Sequence, residues 1–187
     1  MQLNLGCGLN KRQGFVNVDK YAHAQPDVLW DLESTPWPWS SNSVHAVLFD
    51  HSLEHMGAQS TVFLGIMQEL YRVCKPDARI HINAPHPRHD DFICDPTHVR
   101  IITPQMFWLF SREANLNWQA KGAANTPLAL YLEVDFVLEH TKLILEEPYA
   151  TQLRENRITN TELESLARER NNVVREMHLV LRVVKPG

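Results

Sequence analysis

The chain has 187 residues, 44% hydrophobic and 21% charged, a composition that excludes collagen-like, low-complexity and disordered classes. Its 18 Lys and Arg residues against 22 Asp and Glu residues give a formal net charge of −4, without a basic cluster that would neutralise nucleic-acid phosphates. No apolar run approaches the roughly 20 residues that span a bilayer, and no signal sequence follows Met1. We therefore expect one cytoplasmic domain over residues 1–187, with no nucleic-acid or membrane partner.

The first half of the sequence alternates short β-type runs with turns and helical patterns, which is typical of βαβ units in a mostly parallel sheet. Strands are predicted over residues 2–5, 15–18, 27–30, 44–50 and 79–84. Each run is apolar and is followed by a polar or glycine-bearing loop. Because ligands bind at the carboxyl ends of parallel strands, these loops are the expected place for a site.

Two helices are predicted from apolar periodicity. The first covers residues 60–74, with Ser60 as its N-cap, and stops at a Lys-Pro-Asp sequence. The second covers residues 103–114, with Pro104 in its first turn. Both would pack one apolar face against the sheet.

The last third of the sequence predicts an antiparallel hairpin at the sheet edge, interrupted by a charged insertion. Residues 128–145 are apolar with β-branched positions, and residues 177–184 alternate as an antiparallel strand does. Between them, residues 149–175 carry many Glu and Arg side chains, which predicts one or two largely solvated helices. The apolar 128–145 stretch is also a candidate surface for a homodimer.

A glycine turn follows the first strand, in the sequence Leu-Asn-Leu-Gly-Cys-Gly over residues 3–8. The missing side chains would let a ligand lie against backbone N–H groups. A carboxylate then follows each of the next three strands, and these residues are Asp19, Asp31 and Asp50. The turn and the three acids are expected at one edge of the sheet.

The spacing within this edge helps to choose between nucleotide-type ligands. A dinucleotide-binding turn needs a third glycine and a ribose-binding acid roughly 20 residues on. Here Lys11 stands at the third-glycine position, and Asp19 comes 13 residues after Gly6. A ligand without phosphate, bearing ribose, adenine and a sulfonium cation, suits the short loop and its carboxylates better.

These elements resemble the class I S-adenosylmethionine-dependent methyltransferases, as a small, N-terminally short protein of the type 11 kind, over about residues 1–110. The likeness is carried, in order, by LNLGCG, GFVNVD, DLE with PWPW, FDHSLEHM and ELYRVCKPDARIHINAP. It implies a Rossmann-like, mostly parallel sheet with a C-terminal antiparallel hairpin and helices on both faces. Two departures are Asn4, where an acid is frequent, and Asp-Ala in place of Gly-Gly at residues 77–78.

The resemblance also implies S-adenosylmethionine as cofactor and names the residues that bind it. The glycine turn would contact the methionine part, Asp19 the ribose hydroxyls, and Asp31 with the Leu32 backbone the adenine. Asp50 and His51 would lie beneath the transferred methyl group. The full implied set is Gly6, Cys7, Gly8, Asp19, Lys20, Asp31, Leu32, Asp50 and His51.

A polar loop follows the fifth strand, at the edge where acceptors enter this fold. A histidine with a near-neutral pKa would suit a base that deprotonates an acceptor, although a solvated loop explains each residue equally well. The sequence starts at the first strand, so we expect residues 86–100, rather than 149–175, to be the main lid over the cofactor. The histidine and aspartate residues of the loop are His86, His89, Asp90, Asp91, Asp95 and His98.

Two further histidines flank Glu54 after the fourth strand. His51, nearer the strand end, is the stronger candidate for a base, whereas His55 is expected to pack under the sheet. The candidate catalytic residues are therefore His51, His86, His89 and His98.

No metal site is expected from the sequence. The spacing of Asp95 and His98 matches no closed zinc pattern. Cys7, Cys74 and Cys94 form no CxxC pair and are expected to be reduced thiols.

The leading hypothesis is an S-adenosylmethionine-dependent methyltransferase that acts on a small molecule or a biosynthetic intermediate. The alternative from another class is a catalytically silent methyltransferase-like module that binds the cofactor or a partner protein. A nicotinamide-dependent oxidoreductase is a third and weaker hypothesis.

Overall fold

A seven-stranded sheet forms the centre of the computed structural model, which describes residues 1–186. The first five strands are parallel, and the last two add an antiparallel hairpin in the order β3-β2-β1-β4-β5-β7-β6. The predicted α/β class and the C-terminal hairpin are confirmed. The strands are β1 Gln2–Leu5, β2 Val16–Asp19, β3 Val28–Leu29, β4 Val44–Asp50, β5 Cys74–Pro85, β6 Phe136–Leu145 and β7 Val174–Val183.

Six α-helices and three short 3-10 helices connect or follow the strands within the described residues. None of these helices combines the length and apolarity that crossing a membrane requires. The α-helices are α1 Ser60–Val73, α2 Asp90–Ile93, α3 Arg112–Ala120, α4 Leu128–Tyr131, α5 Tyr149–Arg154 and α6 Asn160–Glu169. The 3-10 helices are Ala22–Ala24, Leu53–His55 and Pro104–Phe110.

Helix α1 buries one apolar face in the core, as its periodicity predicts. Phe63, Ile66, Met67 and Leu70 are all buried in the main hydrophobic cluster. The predicted N-cap is wrong, because the cap position is Gln59, which makes no side-chain capping bond.

The predicted helix over residues 103–114 is two elements. A 3-10 helix ends at Phe110, and α3 begins only at Arg112. Ser111 between them is extended, and its hydroxyl accepts a hydrogen bond from Ala114 N–H at 3.3 Å. A serine N-cap therefore starts a new helix in the middle of the apolar pattern.

Strand β5 is longer than predicted at both ends. Its first residues, including the Lys-Pro-Asp sequence, form an irregularity opposite β4, where the register jumps from Cys74 to Arg79. Asp77 has a φ of 60°. This agrees with the tolerance of aspartate for the left-handed region, so the departure from glycine is accommodated.

The strand order creates a crevice beside β1. The chain passes from β1 outward to β2 and β3, and then returns to form β4 on the other side of β1. Ligands of open α/β sheets bind at such a reversal, outside the carboxyl ends of the strands. Gly6 after β1 and His51 after β4 are therefore at the position where a ligand is expected.

The C-terminal hairpin places β6 at the outer edge of the sheet, as predicted. Glu139, His140 and Lys142 are exposed on this strand, and charges on an edge strand oppose pairing with a second sheet. Helices α5 and α6 bury no residue, in agreement with the solvated helices predicted for residues 149–175. A homodimer through residues 128–145 stays a prediction.

Candidate cofactor and acceptor site

A cavity of about 630 Å³ lies at the carboxyl edge of the sheet. This volume is within the usual range of small-molecule sites, roughly 300–1,000 Å³. Seven of the nine residues expected to bind a cofactor line it, and Cys7 and Asp50 do not. The seven are Gly6, Gly8, Asp19, Lys20, Asp31, Leu32 and His51.

The glycine turn is held close to the loop that follows β4. Gly6 has a φ of 68°, and a Cβ atom there would lie 2.6 Å from the Ser52 Cβ. Ser52 Oγ donates a 2.7 Å hydrogen bond to Leu5 O, which holds the two segments together. Only glycine meets both the backbone conformation and the close approach at position 6.

Asp19 is oriented by the turn on one side and by its own loop on the other. Its carboxylate accepts hydrogen bonds from Gly8 N–H at 2.8 Å and from Tyr21 N–H at 2.9 Å. The residue is 8% exposed and faces the cavity. A carboxylate held in this way can accept further hydrogen bonds from a ligand without reorganising.

Asn4 supports the turn from below, which gives a physical reason for the departure from an acid at this position. Its amide donates 2.9 Å hydrogen bonds to Asn10 O and to Asn17 Oδ1. A carboxylate could not donate either bond. Asn17 Oδ1 also accepts a hydrogen bond from Arg12 N–H at 2.8 Å. Two side-chain amides therefore connect β1 and β2 to the loop between them.

The other end of the cavity is formed by the segment after β3. Trp30, Asp31 and Glu33 line it, and the adjacent Leu32 is buried. Trp37 donates its indole N–H to Leu32 O at 2.9 Å, which anchors the segment to the core. An exposed acid beside a buried apolar residue and an indole is suited to a flat heterocycle with an exocyclic amine.

Asp50 takes part in a network behind the cavity instead of lining it. It accepts hydrogen bonds from Arg12 at 3.0 Å and from Asn83 at 2.8 Å. Burial disfavours its charged form, but the hydrogen bonds from Asn83 and Arg12 outweigh this and hold the pKa of Asp50 below its usual value. Asp50 is therefore an anion that joins β4 to β5 and, through Arg12, to the loop between β1 and β2.

His51 directly follows β4 and lines the cavity with a side chain that is 47% exposed. Its φ of 52° is uncommon for a residue other than glycine, and such conformations cluster at functional sites. Nδ1 lies 3.7 Å from Glu54 Oε1, and Nε2 lies 3.3 Å from Glu176 Oε2. Two carboxylates therefore flank the imidazole.

His55 does not pack under the sheet, so that expectation is wrong. It belongs to the 3-10 helix Leu53–His55, lines the cavity, and has Nδ1 2.9 Å from Thr97 Oγ1. The short 3-10 turn directs His55 toward the loop after β5.

The first part of the loop over residues 86–100 lies away from the cavity. His86 and His89 are not among the residues that line it. His89 is 6% exposed, accepts a hydrogen bond from Asp91 N–H at the start of α2, and lies 3.2 Å from Glu146 Oε2. Burial lowers the pKa of His86, and its Nδ1 accepts the N–H of Arg88 at 3.2 Å.

This first part is anchored to the charged insertion. The Arg88 guanidinium donates to the carbonyl groups of Ala167 and Arg168 at the end of α6. Asp90 N–H donates to Asn172 Oδ1 at 2.8 Å. The two segments considered as lids are thus joined to each other.

The second part of the loop reaches the cavity. Pro96, Thr97 and Val99 line it. The N–H groups of Val99 and Arg100 donate to Glu54 O at 3.0 and 2.9 Å, which fixes the loop against the segment after β4. His98 itself is outside the lining but stands beside His55, with the ring centroids 4.5 Å apart.

Several lining residues are not in the set expected from the sequence. Tyr21 follows the predicted Lys20 directly, and Ser52 and Met56 lie within the FDHSLEHM sequence. Their position next to predicted site residues, or within a motif of the resemblance, is the one feature of the sequence that points to these three residues. Thr97 carried no signal beyond its place in a polar loop.

No family model matches the sequence, and no curated protein matches it closely enough to count as a relative. Solved structures do match. An S-adenosylmethionine-dependent methyltransferase from Archaeoglobus fulgidus superposes with a TM-score of 0.62 at 18% identity, over 97% of this chain and 85% of that one. Another from Methanosarcina mazei gives 0.54 at 11% identity, over 99% and 92%. The chain has the fold of the S-adenosylmethionine-dependent methyltransferases.

Another solved structure with a similar fold is described as a cyclase and not as a methyltransferase. The cyclase SpnF superposes with a TM-score of 0.55 at 14% identity, over 99% of this chain and 74% of that one. A fold does not by itself define a reaction. The activity of this chain therefore has to be argued from its own site.

Proposed function

We propose that the protein is an S-adenosylmethionine-dependent methyltransferase that transfers a methyl group to a small-molecule acceptor. The observation that carries this proposal is that Gly6 and Gly8 of the glycine turn, Asp19 and Asp31 all line one cavity. A turn without side chains, an acid that could meet ribose hydroxyls and an acid that could meet an adenine amino group are features that this cofactor needs. The N–H groups of the turn are used within the fold, those of Gly6 and Cys7 on Val18 O and that of Gly8 on Asp19. The nine-residue set named from the sequence stays a prediction.

The acids of the cavity have distinct roles in this proposal. Asp19 would accept hydrogen bonds from the ribose hydroxyls with oxygen lone pairs left free by Gly8 and Tyr21. Asp31 would accept from the adenine amino group. When bound, S-adenosylmethionine supplies an electrophilic methyl group on a sulfonium centre. Alignment of an acceptor with that centre can lower the barrier by roughly 7 to 11 kcal/mol.

His51 is the residue best placed to act as a base. It would take a proton from an acceptor hydroxyl or ammonium group at one of its ring nitrogens. Glu176, 3.3 Å from Nε2, would stabilise the imidazolium that results. His86 and His89 are less suitable because neither lines the cavity.

A small acceptor fits the form of the site. The cavity of about 630 Å³ must hold both the cofactor and the reacting part of the acceptor. The formal net charge of −4 gives no electrostatic attraction for nucleic acid. We therefore place the acceptor among metabolites or biosynthetic intermediates, between His51 and the segment at Thr97.

Calorimetry with S-adenosylhomocysteine and with NAD tests the cofactor, and labelled methyl transfer into fractionated metabolite pools tests the reaction. Binding of S-adenosylhomocysteine without NAD binding, followed by a labelled product, is the expected outcome. Binding without any labelled product would support the silent module instead. NAD binding alone would reject both.

A further inference from the structure

Three side chains with metal-binding atoms converge beside the cavity. Glu54 and His55 come from the 3-10 helix after β4, and His98 comes from the loop after α2. One ligand atom from each residue lies within 4.8 Å of the other two. Two imidazoles and one carboxylate form the donor set of many catalytic zinc sites and of the facial triad that binds Fe²⁺.

The Glu54 carboxylate has no hydrogen-bond partner among the described residues. The residue is 0% exposed. A carboxylate that is buried away from water without hydrogen bonds is strongly unfavourable. The imidazole Nδ1 of His51 lies 3.7 Å from Glu54 Oε1, which is beyond hydrogen-bond distance. A bound cation would supply the interaction that this carboxylate lacks.

The hydrogen bonds of His98 leave one ring nitrogen available. Its Nδ1 lies 2.9 Å from Phe92 O, and because a carbonyl can only accept, Nδ1 carries the proton. Nε2 of the neutral ring then has a free lone pair. Asp95 Oδ2, at 3.8 Å from Nε2, is beyond hydrogen-bond distance. Orientation of a histidine by a carbonyl group is common at metal sites.

The same reasoning applies to His55. The Thr97 hydroxyl donates its proton to Asp95 Oδ1 at 2.6 Å, so it must accept at 2.9 Å from His55 Nδ1. This leaves His55 Nε2 unprotonated in the neutral ring. Asp95, Thr97 and His55 thus form a chain that sets the tautomer of a ligand, as outer carboxylates do around metal-bound histidines.

We propose that Glu54, His55 and His98 bind one divalent transition-metal cation of the first row, with Zn²⁺ as the reference ion. Imidazole and carboxylate donors favour such ions, whereas Mg²⁺ and Ca²⁺ favour oxygen donors alone. Three protein ligands leave a coordination position open. Because His55 lines the cavity, the ion would lie at its wall, where that position can take water or an oxygen of a bound molecule. The proposal does not depend on methyl transfer.

Titration of the chelator-treated protein with Zn²⁺ and Co²⁺, without any S-adenosyl compound, tests the site. Calorimetry is expected to give one ion per chain, and Co²⁺ is expected to produce the intense visible absorption of a low-coordinate site. His98→Ala and Glu54→Gln are each expected to weaken metal binding by at least about tenfold. Loss of a residue that only orients a ligand typically costs about tenfold to 100-fold in affinity, and loss of the ligand itself should cost no less. His140→Ala, on the edge strand β6, is the matched control and should bind as the wild type does.

Two results would overturn the proposal. One is a wild-type protein that binds neither ion at a stoichiometry of one. The other is binding that His98→Ala and Glu54→Gln leave unchanged. If Glu54→Gln does not fold, His98→Ala and the Co²⁺ spectrum of the wild type still decide. Failure here leaves the cofactor proposal intact, since S-adenosylhomocysteine binding is measured separately.

Discussion

The backbone N–H of Gly8 donates a 2.8 Å hydrogen bond to Asp19 Oδ2, which joins the glycine turn after β1 to the acid at the end of β2. Tyr21 N–H fixes the other carboxylate oxygen at 2.9 Å. The acid expected to bind ribose is thus held in place before any ligand arrives. Its orientation is part of the fold, so changes at Asp19 affect both the turn and the ligand.

Asp19→Ala is expected to weaken S-adenosylhomocysteine binding by about 1.5 to 3 kcal/mol, roughly tenfold to 150-fold, because hydrogen bonds to a charged group are lost. Asp19→Asn retains an oxygen that can accept from Gly8 N–H, so it should preserve the turn better while still losing affinity. Asp31→Ala should cost less, because Asp31 is exposed and the Leu32 backbone also contributes. Calorimetry measures all three, and an unchanged dissociation constant for Asp19→Ala would mean that the ribose lies elsewhere.

The two glycines of the turn are expected to respond differently to substitution by alanine. Gly6→Ala places a Cβ 2.6 Å from Ser52 Cβ as well as an unfavourable φ, so it should lower the free energy of unfolding by more than about 2 kcal/mol. In Gly8→Ala the added Cβ would have no atom within 4 Å, and only the φ of 49° is unfavourable. The free energy of unfolding should therefore fall by about 1 to 2 kcal/mol. Denaturant unfolding compares them, and equal losses would contradict the packing at Ser52.

The elements that the sequence predicts best are those with a regular apolar pattern. β1 and β4 begin and end at the predicted residues, because polar or glycine-bearing loops bound both of these mainly apolar segments. The helix over 103–114 was misjudged because Ser111 interrupts an apolar pattern that spans two helices. The apolar periodicity indicates which face of a helix is buried, but it does not show where an N-cap residue ends one helix and begins the next.

The site could be predicted only where chain order gives spatial order. Loops after parallel strands meet at one edge, so Asp19 and Asp31 could be assigned to a cavity. Glu54 and His98 are far apart in sequence, and they meet because Val99 and Arg100 donate to the Glu54 carbonyl. No spacing rule contains that information, which is why the sequence did not indicate that these two side chains are neighbours.

The stability that Glu69 contributes is expected to be lost in acid. Its carboxylate accepts hydrogen bonds from Arg72 and from Trp37 N–H, and the Arg72 bond holds the pKa of Glu69 below its ordinary value. A depressed carboxylate pKa contributes stability above the unfolded pKa of 4.5, and this is lost as pH falls through the lower folded value. The free energy of unfolding should therefore decline more steeply below about pH 5 in the wild type than in Glu69→Gln.

The matched control for this measurement is Glu164→Gln, since Glu164 is exposed on α6. Its unfolding free energy should follow the wild-type curve at every pH. Parallel curves for wild type and Glu69→Gln would show that the bond to Arg72 does not contribute.

His51→Asn is expected to reduce methyl transfer by about 10² to 10⁴ and to change S-adenosylhomocysteine affinity little, because it removes a base. Asparagine is chosen because it tolerates the φ of 52° at this position. His86→Asn, outside the cavity, is the control and should keep its rate. Full activity in His51→Asn would assign proton removal to another group or to solvent.

Hydrogen exchange with and without S-adenosylhomocysteine is expected to divide the loop after β5 into two parts. Residues 96–99 line the cavity and should gain protection when the ligand binds. Residues 86–91 are already tied to the end of α6 through Arg88 and Asn172, so their exchange should change little. In Arg88→Ala, residues 86–91 should exchange faster both with and without the ligand, while the ligand should still protect residues 96–99. Protection confined to residues 149–175 would instead make the charged helices the lid and leave the loop as an ordinary surface segment.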